Sequence, residues 1–408
     1  MSQPTPPTIS RPNTRLAAVW KTAAATSLVE TSLPPRSPST TAQRLRRAQV
    51  VVVSALLVLG IAATWLLLDL RAQLSAAPQL ATQYQRLSAV EADLIEAGNR
   101  ARLKTLGDSS ADVNAALNSA MSGLVGAAAD RPADRAALVE IGADTARYGV
   151  ALASGSAALA EADNLLTQTL IPQIDALRSE LRAGTTTPSW SVHALVLSVV
   201  ALLALTAIIV ASVDLARLSR RFLNIGVALA AIAVMVVASV GLSAVVEATT
   251  ANGAARVTGF AEVAGLSDGQ IALAQLRHSQ TVAITTKSAD GSTLKSQLAQ
   301  VVGLQNCGVA TSTVSAVQKQ YQTINAALEK SNWATATQAL TSAATMKNDN
   351  TLLAAVATES TASLASSDAQ SSTALTTVTR SAAVTAVLSV AGAIVAYWGV
   401  ARRLKEYR

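Results

Sequence analysis

The chain has 408 residues and a formal net charge of +7; half of its residues are hydrophobic and only 14% are charged. Aromatic residues make up 3% of the sequence, which argues against a nucleic-acid surface built on base stacking despite the positive charge. A single cysteine, Cys307, and two histidines argue against an intrachain disulfide framework and against a His/Cys metal site.

Four apolar runs of 21 to 25 residues contain no Asp, Glu, Lys or Arg. A helix rises about 1.5 Å per residue and the bilayer hydrocarbon is about 30 Å thick, so each run is long enough for one crossing. The sequence therefore predicts an all-α membrane protein with four transmembrane helices and two extracytoplasmic helical bundles. The predicted spans are Ala48–Leu68, Ser191–Val213, Phe222–Val246 and Ser381–Ala401.

Basic residues concentrate in the N-terminal tail (1–47), in the link between spans two and three (214–221) and in the C-terminal tail (402–408). By the positive-inside rule these three segments are cytoplasmic. We therefore expect a multi-pass plasma-membrane protein with both termini in the cytoplasm. Residues 69–190, the first block, and residues 247–380, the second block, are then extracytoplasmic. The tail is rich in Pro, Ser and Thr and is expected to be disordered and to lie on anionic lipid.

The first block is predicted to be a four-helix bundle whose first and last helices continue from spans one and two. An apolar stripe at helical spacing runs on from span one, interrupted by Glu91 and weakened by Gly98. Pro78 and Pro172 are expected to kink the first and last helices. Turns are expected after residue 106, at 130–132 and at 154–156.

The second block contains no proline, and its Ala, Gln and Leu content favours helix. Six helices are predicted, with turns at 265–269, 289–292 and 307–308; the last helix leads directly into span four. Their ranges are 247–264, 268–287, 293–305, 311–330, 333–346 and 349–380. The two halves share the order span, block, span, a tandem duplication of topology without strong residue identity.

No catalytic constellation, phosphate loop or cofactor motif is present in the sequence, so the protein is expected not to be an enzyme and to need no cofactor. The uncharged spans argue against ion-coupled transport. Two surfaces are candidates for contacts with partners. The extracytoplasmic candidates are Arg277 and His278, on a helix of the second block. The cytoplasmic candidates are Arg217, Arg220, Arg221, Arg402, Arg403 and Lys405, whose alternative role is topology and lipid binding.

Two further features leave alternatives open. The acidic residues of the first block are either solvated helix faces or a docking surface for a basic partner. Cys307 is either an unpaired turn residue or an intermolecular disulfide across a homodimer. The acidic set is Asp108, Asp112, Asp130, Asp134, Glu140 and Asp144.

The layout resembles an actinobacterial four-span membrane protein of a glutamine/glutamate-sensing pathway. The local features that carry the resemblance are the basic link Leu215–Asn224, the stretch Tyr148–Pro172 and the terminus Arg403–Arg408. In that family the gene neighbours encode an amino-acid-binding lipoprotein and the soluble serine/threonine protein kinase G. The resemblance implies a transmembrane relay with these two partners.

Two other functions compete with the relay. One is a direct small-ligand sensor of the chemoreceptor type, for which Arg277 and His278 would begin a ligand site. The other is a non-enzymatic scaffold subunit of a cell-envelope complex.

Overall fold

The computed structural model describes residues 41–108, 111–184, 190–219, 225–254 and 259–406, and in these ranges every regular element is a helix. Three 3₁₀ turns lie at Pro132–Asp134, Ser156–Ala158 and Gly303–Cys307, and a π-helical turn at Leu166–Leu170 joins α4 to α5. The helices in chain order are α1 (Thr41–Thr105), α2 (Val113–Asp130), α3 (Arg135–Ala153), α4 (Leu159–Leu165), α5 (Ile171–Gly184), α6 (Trp190–Ser219), α7 (Ile225–Gly253), α8 (Phe260–Thr286), α9 (Gly291–Val302), α10 (Thr311–Glu329), α11 (Trp333–Leu340) and α12 (Ala343–Glu406).

Four helices, α1, α6, α7 and α12, are long and apolar enough to cross a membrane, which confirms the predicted all-α class with four spans. Their large apolar side chains are exposed on the outer face of the span bundle, as lipid contact requires. At one end of the spans, His193 Nε2 on α6 lies 2.8 Å from Asp69 Oδ2 on α1. At the other end, Gln49 Nε2 donates to the Tyr397 carbonyl at 3.2 Å. Polar contacts therefore tie the spans together at both ends.

The helix α1 runs for 65 residues without a break, from the first span to the far end of the first block. The kink or slight break predicted at Pro78 does not end the helix, although proline removes one backbone hydrogen bond. Leu74 and Ala81 are buried on either side of Pro78, and this packing holds the helix together. The helix also begins at Thr41, so residues 41–47 of the predicted disordered tail are helical; residues 1–40 lie outside the described part.

The first block is a four-helix bundle of α1, α2, α3 and the α4–α5 pair, as predicted. Gly155 has a φ of 85°, a left-handed conformation that glycine adopts without strain, and it separates α3 from α4. Pro172 lies in the first turn of α5, directly after the π-helical turn. The irregularity predicted at Pro172 is thus placed just before it, where the missing proline N–H disturbs the hydrogen-bond ladder.

The second block differs from the prediction in three places. In place of the predicted helix 247–264, α7 continues from span three to Gly253 and α8 begins at Phe260. The turn predicted at residues 265–269 is absent, because α8 continues from Phe260 to Thr286. The last two predicted helices begin and end elsewhere: α11 stops at Leu340, and α12 then runs for 64 residues to Glu406. The predicted turns at 289–292 and 307–308 are confirmed, with Asp290 capping α9 and Gly308 at a φ of 90°.

The helices α1 and α12 pack on each other more extensively than any other pair of elements. The buried face of α12 consists mainly of small residues that recur every three or four positions. From Ser367 onward they are Ser367, Ser371, Ala374, Val378, Ala382, Thr385, Ser389, Ala393, Ala396 and Val400; nearer the start of α12 the buried residues include Leu352, Val356 and Ser360. Larger side chains of α1, including Leu56, Leu59 and Leu70, are fully buried in the same core. We call this contact the α1–α12 seam.

Candidate functional site at the interface between the halves

The first and second blocks are not separate bundles but share a core. Residues of α8, including Phe260 and Ile271, are buried in one apolar cluster with residues of α1 and α5. The ring of Phe260 meets the ring of Tyr84 edge to face, with 5.1 Å between the centroids. Glycine positions on α8 also allow close packing within the second block, since a Cβ on Gly265 would lie 2.7 Å from Cys307 Sγ. The glycines predicted to form a turn therefore serve helix packing.

A charged group lies inside this interface, and we call it the proximal cluster; its members are Tyr84, Glu91, Asp175, Arg178, Arg182 and Asp268. Arg178 on α5 is its centre. One nitrogen, Nη1, donates to Glu91 Oε2 at 2.7 Å and to Asp175 Oδ1 at 2.9 Å. The other, Nη2, donates to the Tyr84 hydroxyl at 2.9 Å and pairs with Asp268 of the second block. One guanidinium thus connects α1, α5 and α8.

Tyr84 and Arg182 complete the proximal cluster. The Tyr84 hydroxyl donates to Asp268 Oδ1 at 2.8 Å, and Arg182 Nη2 lies 2.9 Å from Asp268 Oδ2. The Arg178 guanidinium also stands over the Tyr84 ring, 4.9 Å from its centroid. Asp268 is the only member from the second block, so within this cluster it is the residue through which α8 contacts the first block.

Burial differs sharply among these groups. Tyr84 and Glu91 are 1% exposed and Arg178 is 8% exposed, whereas the side chains of Asp175, Arg182 and Asp268 are about half exposed. Burial raises the pKa of Glu91 to about 7, against the opposing effect of Arg178. Burial likewise raises the pKa of Tyr84 to about 12, so the phenol stays neutral and can donate to Asp268.

A second charged group lies further along α1, and we call it the distal cluster; its members are Glu96, Arg277, Tyr321 and Asp349. Arg277 of α8 lies 3.2 Å from Glu96 on α1 and 3.4 Å from Asp349 on α12. The Tyr321 hydroxyl donates to Asp349 Oδ2 at 2.8 Å. Burial raises the pKa of Asp349, and Arg277 opposes that shift. The distal cluster therefore joins α1, α8, α10 and α12.

His278 faces the first block beside the distal cluster. Its Nε2 lies 3.9 Å from Asp163 Oδ1, and Asp163 pairs with Arg102. Burial and the neighbouring Arg102 lower the pKa of His278 to about 4, so the ring is neutral at physiological pH. A neutral, partly buried imidazole at this position is a packing group between the halves.

The structure brings the two extracytoplasmic candidates, Arg277 and His278, together inside the interface. The side chain of Arg277 is 17% exposed and already paired with two carboxylates, and that of His278 is equally enclosed. As the molecule stands, these residues connect its two halves. An acidic ligand would have to displace Glu96 or Asp349 to reach Arg277.

The cytoplasmic candidates are described only in part. Arg402 is exposed near the end of α12. The backbones of Arg217, Arg403 and Lys405 lie in α6 and α12, but their side chains are outside the described part of the structure, as are Arg220 and Arg221 entirely.

The acidic residues of the first block do not form one surface. Asp112 caps α2 by accepting from the Ala115 N–H at 3.1 Å, and Asp130 pairs with Arg86 at 2.9 Å. Asp134 and Asp144 are buried, the latter accepting from Gln173 at 3.1 Å. Most of the acidic row therefore has structural uses within the bundle.

Sequence reasoning missed the proximal cluster, although a signal was present. Glu91 lies in the apolar stripe of α1, and Arg178 lies between the buried positions Ile174 and Leu181 of α5. A carboxylate on one core face and a guanidinium on the face packed against it indicate a buried pair. The contribution of Asp268 had no comparable signal, because the packing of α8 on α1 follows from no local pattern.

Comparison of the chain with protein-family models, with curated proteins and with solved structures finds no match. The class of protein is therefore defined by the structure alone: a multi-pass membrane protein, helical throughout its described residues, in which α8 of the second block enters the apolar core of the first.

Proposed function

We propose that this protein is a non-enzymatic transmembrane relay, in which a change at the helical blocks is carried along α1 and α12 to a small cytoplasmic surface. The observation that supports this proposal is the continuity of these two helices. Each extends from the inner end of a span to the far end of a block, a length on the order of 95 Å at 1.5 Å rise per residue. A rigid helix transmits a shift, tilt or rotation from one end to the other.

The α1–α12 seam favours such a movement. Small residues on α12 let the helices approach closely but contribute little burial each. A Cβ on Gly392 would lie 2.9 Å from the Ala233 Cβ of α7, so backbone approach is close between the spans as well. The leucines of α12 that pack against the apolar clusters containing α1 are only partly buried; they are Leu364, Leu375 and Leu388. One polar contact, from Gln49 to the Tyr397 carbonyl, joins the two helices in the spans. In the distal cluster, Arg277 of α8 bridges Glu96 of α1 and Asp349 of α12.

The clusters provide two states between which a relay can switch. With both clusters formed, α8 is docked on α1; with them broken, α8 is released and α1 and α12 lose a common neighbour. A partner that binds one arrangement more tightly shifts the equilibrium by its difference in affinity, typically about 1–3 kcal/mol. The relay requires no more than this difference.

The resemblance noted in the sequence suggests the partners. We propose that an extracytoplasmic amino-acid-binding protein docks on the blocks and that a cytoplasmic serine/threonine kinase, or its adaptor, reads the inner surface. This assignment includes the orientation inferred from the basic residues, with both termini in the cytoplasm and both blocks outside.

The proposal is tested by isolating the full-length protein from cross-linked cells, starved of or supplied with amino acids, and identifying its partners by mass spectrometry. A relay should recover an extracytoplasmic binding protein and a cytoplasmic regulator, in proportions that change with the supply. Replacing Arg217, Arg220 and Arg221 by glutamine should reduce recovery of the cytoplasmic partner only. The matched control is Arg71→Gln, at an exposed arginine of α1 beyond the first span.

Two results would replace the relay by another function. Recovery of cell-wall synthesis proteins alone would favour a scaffold. Binding of a free amino acid by the purified full-length chain, measured by calorimetry without any partner, would favour a direct sensor.

A further inference from the structure

The proximal cluster has more acidic than basic groups. Three carboxylates, Glu91, Asp175 and Asp268, surround Arg178, and the second guanidinium, Arg182, contacts only Asp268 among them. Asp175 and Asp268 are about half exposed, so their charges are partly hydrated. Glu91 is 1% exposed and must share Arg178 with both. The cluster is therefore closest to electrical balance when Glu91 carries a proton.

The surrounding elements do not supply a further positive charge to Glu91. On α2, which packs against another side of α1, the carboxylate Asp130 is paired with Arg86. At the start of α3, Asp134 accepts from Gln83 at 3.4 Å and lies 3.4 Å from Arg131. These groups satisfy one another, so the charges that face Glu91 are those of α5 and α8.

We infer that closing the interface between the two blocks takes up a proton at Glu91, so that α8 is held on α1 at mildly acidic pH and released as the pH rises. Separation of α8 from α1 would remove Asp268 from Arg178, so that this arginine could pair fully with an ionised Glu91. Ionisation in the closed state instead leaves a buried carboxylate competing with two others for one arginine. This inference assigns a regulatory input to the proposed relay, and to that extent it rests on the proposed function.

The direction follows from the two protonation equilibria. The pKa of Glu91 is about 7 in the closed state, raised from an ordinary value of 4.5 by burial. Between these values the closed state keeps the proton that the open state has lost, so raising the pH favours opening. Between pH 6 and pH 8 the opening equilibrium constant should increase about tenfold.

The experiment measures amide hydrogen exchange in the full-length protein in lipid nanodiscs at pH 6 and pH 8, corrected for the intrinsic rates. The segment of interest is Phe260–Ala274 of α8. Its protection in the wild type should fall about tenfold from pH 6 to pH 8. In Glu91→Gln, which keeps the shape of the protonated side chain, protection should stay at the pH 6 level throughout. Glu140→Gln, at an exposed glutamate of α3, should behave as the wild type.

A second variant tests the charge count without altering the buried carboxyl. Asp268→Asn removes one of the three carboxylates from a half-exposed position and should reduce the pH response. Protection that does not change with pH in the wild type would overturn the inference, as would an equal change in the wild type and in Glu91→Gln.

A separate readout distinguishes this inference from the relay itself. Spin labels at Arg47→Cys and Arg402→Cys, both at exposed inner positions, in a Cys307→Ala background, report the distance between the inner ends of α1 and α12. If the protection of α8 changes with pH and this distance does not, the proton uptake at Glu91 is supported and the relay is refuted. If the protection of α8 does not change with pH, the inference about Glu91 is refuted, whether or not the distance between the inner ends changes.

Discussion

Arg277 is a candidate for contacts with a partner, and in the structure its guanidinium pairs with Glu96 and Asp349. The substitution Arg277→Met distinguishes a role in a partner contact from a role in holding the two blocks together. Removal of the guanidinium leaves Glu96 and Asp349 without their shared cation. Asp349 is 2% exposed, so its charge cannot be hydrated in the closed molecule. Breaking one side of a buried ion pair costs about 3–5 kcal/mol.

The structure narrows this range. Glu96 keeps Arg100, whose Nε lies 2.9 Å from it, and Asp349 keeps the hydroxyl of Tyr321. Asp349 can also lose its charge by taking up a proton. For a carboxyl with the ordinary pKa of 3.8, this costs about 4 kcal/mol at pH 7. We therefore expect a loss of about 3 kcal/mol, at the lower end of the range.

The assay is amide hydrogen exchange of α8 in the full-length protein, where about 3 kcal/mol corresponds to a loss of protection on the order of 100-fold. Lys295→Met is the matched control. Lys295 pairs with Glu329 at 2.9 Å in the same block, but its side chain is 72% exposed, so its loss should cost about 0–1 kcal/mol. Adding Asp349→Asn to Arg277→Met should recover part of the protection, since it removes the stranded charge.

Equal protection in Arg277→Met and in Lys295→Met would refute the reasoning. It would mean that Arg277 does not hold the two blocks together and is available for a partner, as the sequence suggested.

Two other predictions concern packing and accessibility. A Cβ on Gly98 would lie 2.5 Å from the Tyr148 hydroxyl, so Gly98→Ala should destabilise the first block by about 1–3 kcal/mol, and Tyr148→Phe in the same chain should relieve part of this. Gly142→Ala, with no atom within 4 Å of the new Cβ, should be neutral or stabilising in the same denaturation assay; equal losses at both glycines would contradict the packing argument. A membrane-impermeant maleimide should label Cys307 in whole cells, slowly at neutral pH, because burial raises the pKa of its thiol. A cysteine at Arg402 in a Cys307→Ala chain should be labelled only after permeabilisation, and the reverse pattern would invert the proposed orientation.

Local sequence pattern was sufficient for the spans and for much of the first block. Uncharged runs of span length have few alternatives, and turns such as the one at Gly155 are encoded by residues that tolerate a positive φ. Glycine was misread where its role depends on a distant neighbour. Gly265 appeared to mark a turn, but it makes room for Cys307.

The candidate site was less predictable because its contacts also depend on residues that are distant in the sequence. Arg277 and His278 were recognised as unusual residues, but their partners come from α1, α4 and α12, which no spacing rule connects to α8. Exposed and buried positions of a charged residue look alike in sequence. Glu91, in an otherwise apolar stripe, and Arg178, between Ile174 and Leu181, carried local signs of burial, but their pairing with each other required the packing of α1 on α5.

The pairing of α1 with α12 also bears on how the protein is made. Ribosomes complete α1 long before they reach α12, so the seam is among the most non-local contacts in the described chain. The first block can close on itself meanwhile, because α1 to α5 supply each other with partners. The second half must then insert two spans and pack α12 against α1, which is already in place. Until it does, Leu56 and Leu59 of the first span face lipid, which accepts leucine without penalty, so this part of the seam is not exposed to water before α12 is inserted.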